Sequence, residues 1–138
     1  MRNTHVLRRR RGEQGAAAVE FALIALILFT LLFGIIQFGL WFWAWQAGGH
    51  AAREAARVAA VSPCDDTKIT AAGKKPLDGA PTTNTPTVDV SKPLVKVGEP
   101  ITVRVQFATL DLGFFPGFSG SIDKSATSRI ENVPAGGC

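Results

Sequence analysis

Residues 15–61 read GAAAVEFALIALILFTLLFGIIQFGLWFWAWQAGGHAAREAARVAAV. From Phe21 to Ala52 no residue carries a formal charge if His50 is neutral. That run exceeds the ~20 apolar residues that cross a bilayer as a helix. It is also longer than the roughly 7–15 apolar residues of an ordinary cleaved signal peptide. The reading is one long helix over about residues 16–61, with Pro63 ending it. Gly48-Gly49 is the place where such a helix would kink or break.

The aromatic residues set the level of the membrane. Trp41 and Trp45 share one helical face, and Trp43 points nearly opposite. A stripe packed on a core would not spread around the helix in this way. Rings on all sides suit a lipid headgroup boundary. Phe21 to Trp41 is about 30 Å at helical rise, close to the hydrocarbon thickness.

Outward from this stretch, the N-terminal side is basic. Residues 1–15 hold Arg2, Arg8, Arg9, Arg10 and Arg11 against Glu13, while the rest of the 138-residue chain is neutral overall. The net charge of +4 therefore sits in one short run beside an apolar segment. This is a topology signal that keeps the N-terminus cytoplasmic, and not a nucleic-acid footprint. The C-terminal part is then expected outside the cytoplasm.

Past Trp45 the helix changes character. Ala44, Gly48, Ala52, Ala56, Ala60 and Ala47, Ala51, Ala55, Ala59 form two ladders of small residues at every fourth position. Such ladders admit a second helix or a sheet at close range. A solvated helix of high intrinsic propensity is the plainer alternative. Glu54 and Arg57 stand at i, i+3 spacing.

Residues 62–86 read as loop, with Gly73, Gly79, Pro76, Pro81 and Pro86 among Thr and Asp. Then the period changes to two. Thr87–Val90 and Leu94–Val97 are short strand candidates. Ile101, Val103, Val105 and Phe107 alternate with Thr102, Arg104 and Gln106, the clearest strand pattern in the chain. Residues 125–133 are a further candidate, and Gly98-Glu99-Pro100 marks a turn. The predicted fold class is α+β: a long N-terminal transmembrane helix followed by a small antiparallel β-sheet domain. The sheet's apolar face needs a cover, and the outer half of the helix is the available one. The chain divides into a basic cytoplasmic leader (1–15), a transmembrane helix (16–46), its extramembrane extension (47–61) and an exported β-rich domain (62–138). The loop TLDLGFFPGFSG carries Leu110, Leu112, Phe114, Phe115 and Phe118. It reads as core under the sheet or as an exposed contact for a partner or the membrane surface.

Cys64 and Cys138 form no CxxC, and with two distant histidines they make no zinc set, so no metal or cofactor is expected. In an exported domain they are expected to pair within the chain, closing a loop of about 75 residues worth about 2–4 kcal/mol. Two free thiols, or a Cys138 that pairs between chains, are the alternatives. No catalytic residues are assigned. His5 and His50 lie in the leader and the helix, and nothing after residue 61 forms a nucleophile elbow or phosphate loop. Asp65-Asp66 and Asp111 read as turn residues and surface charge. An enzyme is not expected.

Glu20 is the informative side chain. A carboxylate just inside an apolar helix is costly in lipid and tends to be functional. If the chain were cut after Gly15, Ala16 would carry a free α-amine, and that amine and Glu20 could offset each other's desolvation, within one helix or between neighbours. A Glu near the helix N-terminus also suits the macrodipole. The plainer alternative is a Glu20 at headgroup level in an uncleaved anchor.

Three segments, GAAAVEFAL (15–23), FGIIQFG (33–39) and AAREAARVAA (51–60), resemble the N-terminal motif of the TadE-like family, minor pseudopilins of the tight-adherence (Flp) type IV pilus machinery. SATSRIENV (125–133) resembles the family's closing strand more weakly. The resemblance implies a pilin-like fold and cleavage between Gly15 and Ala16 by a prepilin peptidase. It implies that Glu20 and Phe21 match the recognition pair of that peptidase. It further implies partners among pilins, pseudopilins and the pilus assembly platform, and a place in the bacterial plasma membrane or the pilus. The chain departs from the family's pattern at two points. Ala25-Leu26 stands where a Pro is frequent, so no kink is specified, and Gln37 stands where a Glu is frequent. Gln37 retains hydrogen-bonding capacity for helix packing and assembly.

Overall fold

A computed structural model describes residues 10–92, 94–115 and 120–138, with only the backbone described for 10–14. Arg2, Arg8, Arg9 and Phe118 lie outside the described residues, as do the side chains of Arg10 and Arg11. The elements are a 52-residue helix α1 (Arg10–Val61), a helix α2 (Asp66–Lys74) followed by a 3-10 turn (Lys75–Leu77), and strands β1 (Thr87–Ser91), β2 (Pro100–Ala108) and β3 (Ser121–Arg129). The chain separates into two compact units that divide between Ile36 and Gln37.

The first unit is helix alone. Its side chains from Gly15 to Ile36 are exposed or half-buried, and Leu23, Ile27, Leu31 and Ile35 are among the many apolar ones open to the surroundings. Thr30 Oγ1 donates to the Leu26 carbonyl at 2.8 Å, which satisfies the one hydroxyl in the run. Helical backbone bonds satisfy the rest, as a span through lipid requires. This is one helix long and apolar enough to cross a membrane.

The second unit is a three-stranded antiparallel sheet on the outer part of α1. The strand order is β1-β2-β3. Register pairs Val88 with Val105 and Val90 with Val103 on one side, and Val103 with Ala126 and Phe107 with Ile122 on the other. β2 is central and alternates: Ile101, Val103, Val105 and Phe107 are buried, while Arg104 is exposed. Those four side chains meet Ala44, Ala47, Ala51, Ala52, Ala55, Ala56 and Ala59 of α1, with Leu77, Ile122, Ile69 and Ile130 filling the flanks. The small-residue ladders are thus the helix face under the sheet. Their smallness has a measurable result, since a Cβ built on Gly48 would stand 3.0 Å from Phe107 Cε1 and 3.2 Å from Ile122 Cγ2. The backbones come close enough for Ser128 Oγ to donate to the Ala56 carbonyl at 2.6 Å and for the Glu131 N–H to donate to that of Ala60 at 2.8 Å.

Several sequence-based expectations are corrected. Residues 62–86 are not simply loop, because α2 occupies 66–74. The Asp65 carboxylate accepts the Lys68 N–H at 2.9 Å as an N-cap, Ile69 is buried, and Gly73 lets α2 approach Ala55 and Val88. Leu94–Val97 is not a strand; Leu94 and Val97 are exposed there. The third strand is 121–129 and not 125–133, because pairing from Ala108↔Ser121 to Pro100↔Arg129 sets its limits. α1 is continuous through Gly48-Gly49.

Cys64 and Cys138 are joined by a disulfide with Cα atoms 5.3 Å apart. Beside it, Lys92 Nζ donates to the Pro63 carbonyl at 3.1 Å and pairs with Asp66. The corner between α1 and α2 is therefore tied both to the C-terminus and to the segment after β1.

Candidate membrane and assembly surfaces

Gly15, Ala16, Glu20 and Phe21 follow one another on exposed turns of α1 in the first unit. A Cβ on Gly15 would meet nothing within 4 Å, so no packing demands a glycine there. Glu20 has no ionic partner among the described residues. An exposed carboxylate at the mouth of an apolar helix is available to a cation from outside it.

Gln37 falls in the other unit and is fully buried. Its Nε2 donates to the Leu110 carbonyl at 3.1 Å, and its Oε1 accepts the Leu112 N–H at 3.0 Å. Both ends of the amide are thus used inside the chain, on residues more than seventy positions away. Sequence reasoning assigned Gln37 to packing between helices; the structure places it on the 110–112 loop. No local signal announces this, because the partners are backbone groups of a distant loop.

That loop also departs from the core reading. Leu112 and Phe114 are exposed, and Leu110 and Phe115 are half-buried. On the helix beside Gln37, Phe38 contacts Trp41 and Phe42 with ring centroids 6.2 Å apart, and Phe42 contacts Trp45 at 6.3 Å. Trp43, on the other side, is exposed. Lys124 Nζ lies 3.7 Å from the centre of a Trp45 ring, a cation–π contact that ties β3 to the aromatic band.

The outward face of the sheet is polar. Arg104 pairs with Asp123, which also accepts from Gln106 Nε2 at 3.0 Å. These bonds, Arg104's first, hold the Asp123 carboxyl well below the usual carboxylate range, at about 2, against the opposing pull of desolvation. Thr102 and Thr127 hydroxyls meet across the strands at 2.8 Å. On the exposed side of α1, Arg57 binds Glu54 through two hydrogen bonds. Among the described residues, no cluster of three or more His, Cys, Asp or Glu side chains is arranged to hold a metal ion. His50 stands on the exposed face of α1 with Arg53 3.4 Å from its Nδ1.

Residues 15–57 match the family model of the TadE-like proteins. The TadE-like match covers the apolar part of α1 and most of the face beneath the sheet. It stops before the disulfide, α2 and the strands. No curated protein and no solved structure matches the chain. The TadE-like match suggests involvement in the tight-adherence pilus system, with one helix suited to anchoring in a membrane.

Proposed function

We propose that this chain is a minor pseudopilin-like protein of the bacterial plasma membrane that takes part in assembling a tight-adherence (Flp) type IV pilus or a related export system. One observation carries the reading. Within the TadE-like segment, Glu20 and Phe21 lie on a helix whose apolar side chains between Val19 and Ile36 are largely exposed. A surface of this kind is stable only in lipid or against other helices. The outer part of the same helix is already occupied by the sheet, so assembly contacts fall to the inner part. The Arg-rich leader argues for a cytoplasmic N-terminus, and a disulfide-bonded C-terminal unit suits an oxidising compartment. The proposed partners are a prepilin peptidase acting between Gly15 and Ala16, other pilins and pseudopilins, and the pilus assembly platform. The protein works by contact and not by catalysis.

An uncleaved, single-pass anchored binding domain is the second reading. One observation favours it: α1 runs unbroken from Arg10 through Gly15, so a protease must unwind this stretch to cut it. The mature N-terminus separates the two. Intact mass and peptide sequencing of the protein from its native membrane are expected to show a chain starting at Ala16. A chain that retains Arg8–Arg11 would overturn the pseudopilin reading and leave the anchored domain.

A further inference from the structure

We propose that residues 110–115 are a membrane foot: Leu112 and Phe114 enter the lipid headgroup region at which α1 leaves the bilayer, and the Gln37 side chain holds the loop at that level. This rests on the reading of α1 as membrane-embedded.

Three observations carry it. The first is position along the helix. Counted from Glu20, Gln37 comes after about 25 Å of helical rise, and Trp41 after about 31 Å. Trp41 therefore sits where a span of about 30 Å runs out, and Gln37 lies one turn before it. The loop that the Gln37 amide grips is held beside the start of the aromatic band.

The second is the state of the loop backbone. Irregular backbone near lipid is tolerated only where its polar groups find partners in the protein. Here the Thr109 N–H donates to the Gly120 carbonyl at 3.0 Å and the Leu110 N–H to that of Pro81 at 3.0 Å. The Leu112 N–H and the Leu110 carbonyl are taken by Gln37. The Gly113 N–H donates to Asp111 Oδ1 at 2.8 Å, and Gly113, at φ +74°, turns the chain there. Several of the loop's backbone groups are thus satisfied within the protein, while Leu112 and Phe114 are exposed.

The third is the surrounding surface. Phe38, Phe42, Trp43 and Trp45 are all exposed and lie on more than one side of α1. A single protein partner would cover one face. A lipid interface surrounds the helix and accepts aromatic rings on every side. Lys124 beside Trp45 adds a cation at the level where phosphates lie.

The test uses the full-length chain in phosphatidylcholine vesicles, with Trp41, Trp43 and Trp45 replaced by Phe. One reporter is then introduced as Phe114→Trp or, for the span, Phe29→Trp. Folding is checked by circular dichroism and by an intact disulfide. Lipids spin-labelled near the headgroup should quench the Phe114→Trp variant most strongly, and iodide should quench it weakly. Lipids labelled deep in the acyl chain should quench the Phe29→Trp variant. If iodide quenches position 114 fully and labelled lipid does not, while position 29 stays deep, the foot is refuted and the anchor stands. If neither position responds to labelled lipid, the anchor itself fails. Position 114 shielded from iodide yet indifferent to labelled lipid would mean burial against protein, which also overturns the proposal. Adding Gln37→Leu should weaken lipid quenching at position 114 with helicity unchanged. Unaltered quenching would show that Gln37 does not hold the loop.

Discussion

Replacing each member of the Gly48-Gly49 pair by alanine tests how closely the sheet lies on α1. Both glycines are interior to a continuous helix, so each substitution gains about 0.8–1 kcal/mol of intrinsic helix stability. Their surroundings differ. A Cβ on Gly49 would meet only the guanidinium of Arg53, the nearest atom at 3.5 Å, and that end of a flexible side chain can move away. A Cβ on Gly48 would stand 3.0 and 3.1 Å from the Phe107 ring and 3.2 Å from Ile122. Phe107 is 2% exposed and Ile122 5%, so both side chains sit among packed neighbours. Crowding of this kind typically costs about 1–3 kcal/mol. Gly49→Ala should therefore stabilise the folded unit by up to about 1 kcal/mol. Gly48→Ala should range from nearly neutral to about 2 kcal/mol destabilising, which leaves a gap between the two of about 1–3 kcal/mol. The comparison removes the propensity contribution, because it is common to both. The assay is equilibrium denaturation of the full-length chain in detergent micelles with the disulfide intact, followed by near-ultraviolet circular dichroism. A Gly48→Ala protein as stable as Gly49→Ala, or more so, would refute the close approach of Phe107 and Ile122 to the helix.

Other perturbations address separate parts of the molecule. Cys64→Ser opens a loop with a sequence separation of 74 and should lower stability under oxidising conditions by about 2–4 kcal/mol, the chain-entropy limit being about 4.5 kcal/mol; an unchanged melting temperature would mean that the bond does not constrain the unfolded chain. Asp123 has its carboxyl held down at about 2 in the folded state, so its contribution is complete above the ordinary carboxylate range and fades as pH falls from about 4 to about 2. The stability difference between the native chain and Asp123→Asn should shrink over that interval and stay flat above it, and parallel curves throughout would remove the Arg104–Asp123 pair from the account. Glu20→Ala should leave membrane insertion intact and impair pilus assembly; normal pili from a strain carrying only that variant would count against a pairing role for the carboxylate.

Parts of the fold were legible because they follow from local pattern. The apolar run from Phe21 and the alternation of Ile101, Val103, Val105 and Phe107 each state a period, and the period names the element. The fourth-position ladders of alanine and glycine allowed a close approach, with a solvated helix as the alternative, and the sheet decided between them. α2 was missed because Gly, Pro, Thr and Asp around it suggest a loop. Its signals were present in Asp65 as N-cap and in Ile69 with Gly73 on the packed side, but they are short and weak. The third strand, SIDKSATSR, has a single large apolar residue, Ile122, so nothing in it competes with the pairing that β2 imposes. Leu94–Val97 shows the converse, apolar residues with strand propensity that no neighbouring strand pairs.

The sequence by itself determined that this chain has a helix suited to a membrane and that a small α+β unit follows it, because length, hydrophobicity and periodicity are properties of contiguous residues. Tertiary structure alone decided that the folded unit begins at Gln37, that this amide serves the 110–112 loop, and that the aromatic and leucine side chains beside it stay exposed. The Gln37 contacts join groups more than seventy positions apart, and backbone carbonyls and N–H groups carry no residue code that would mark them as partners beforehand.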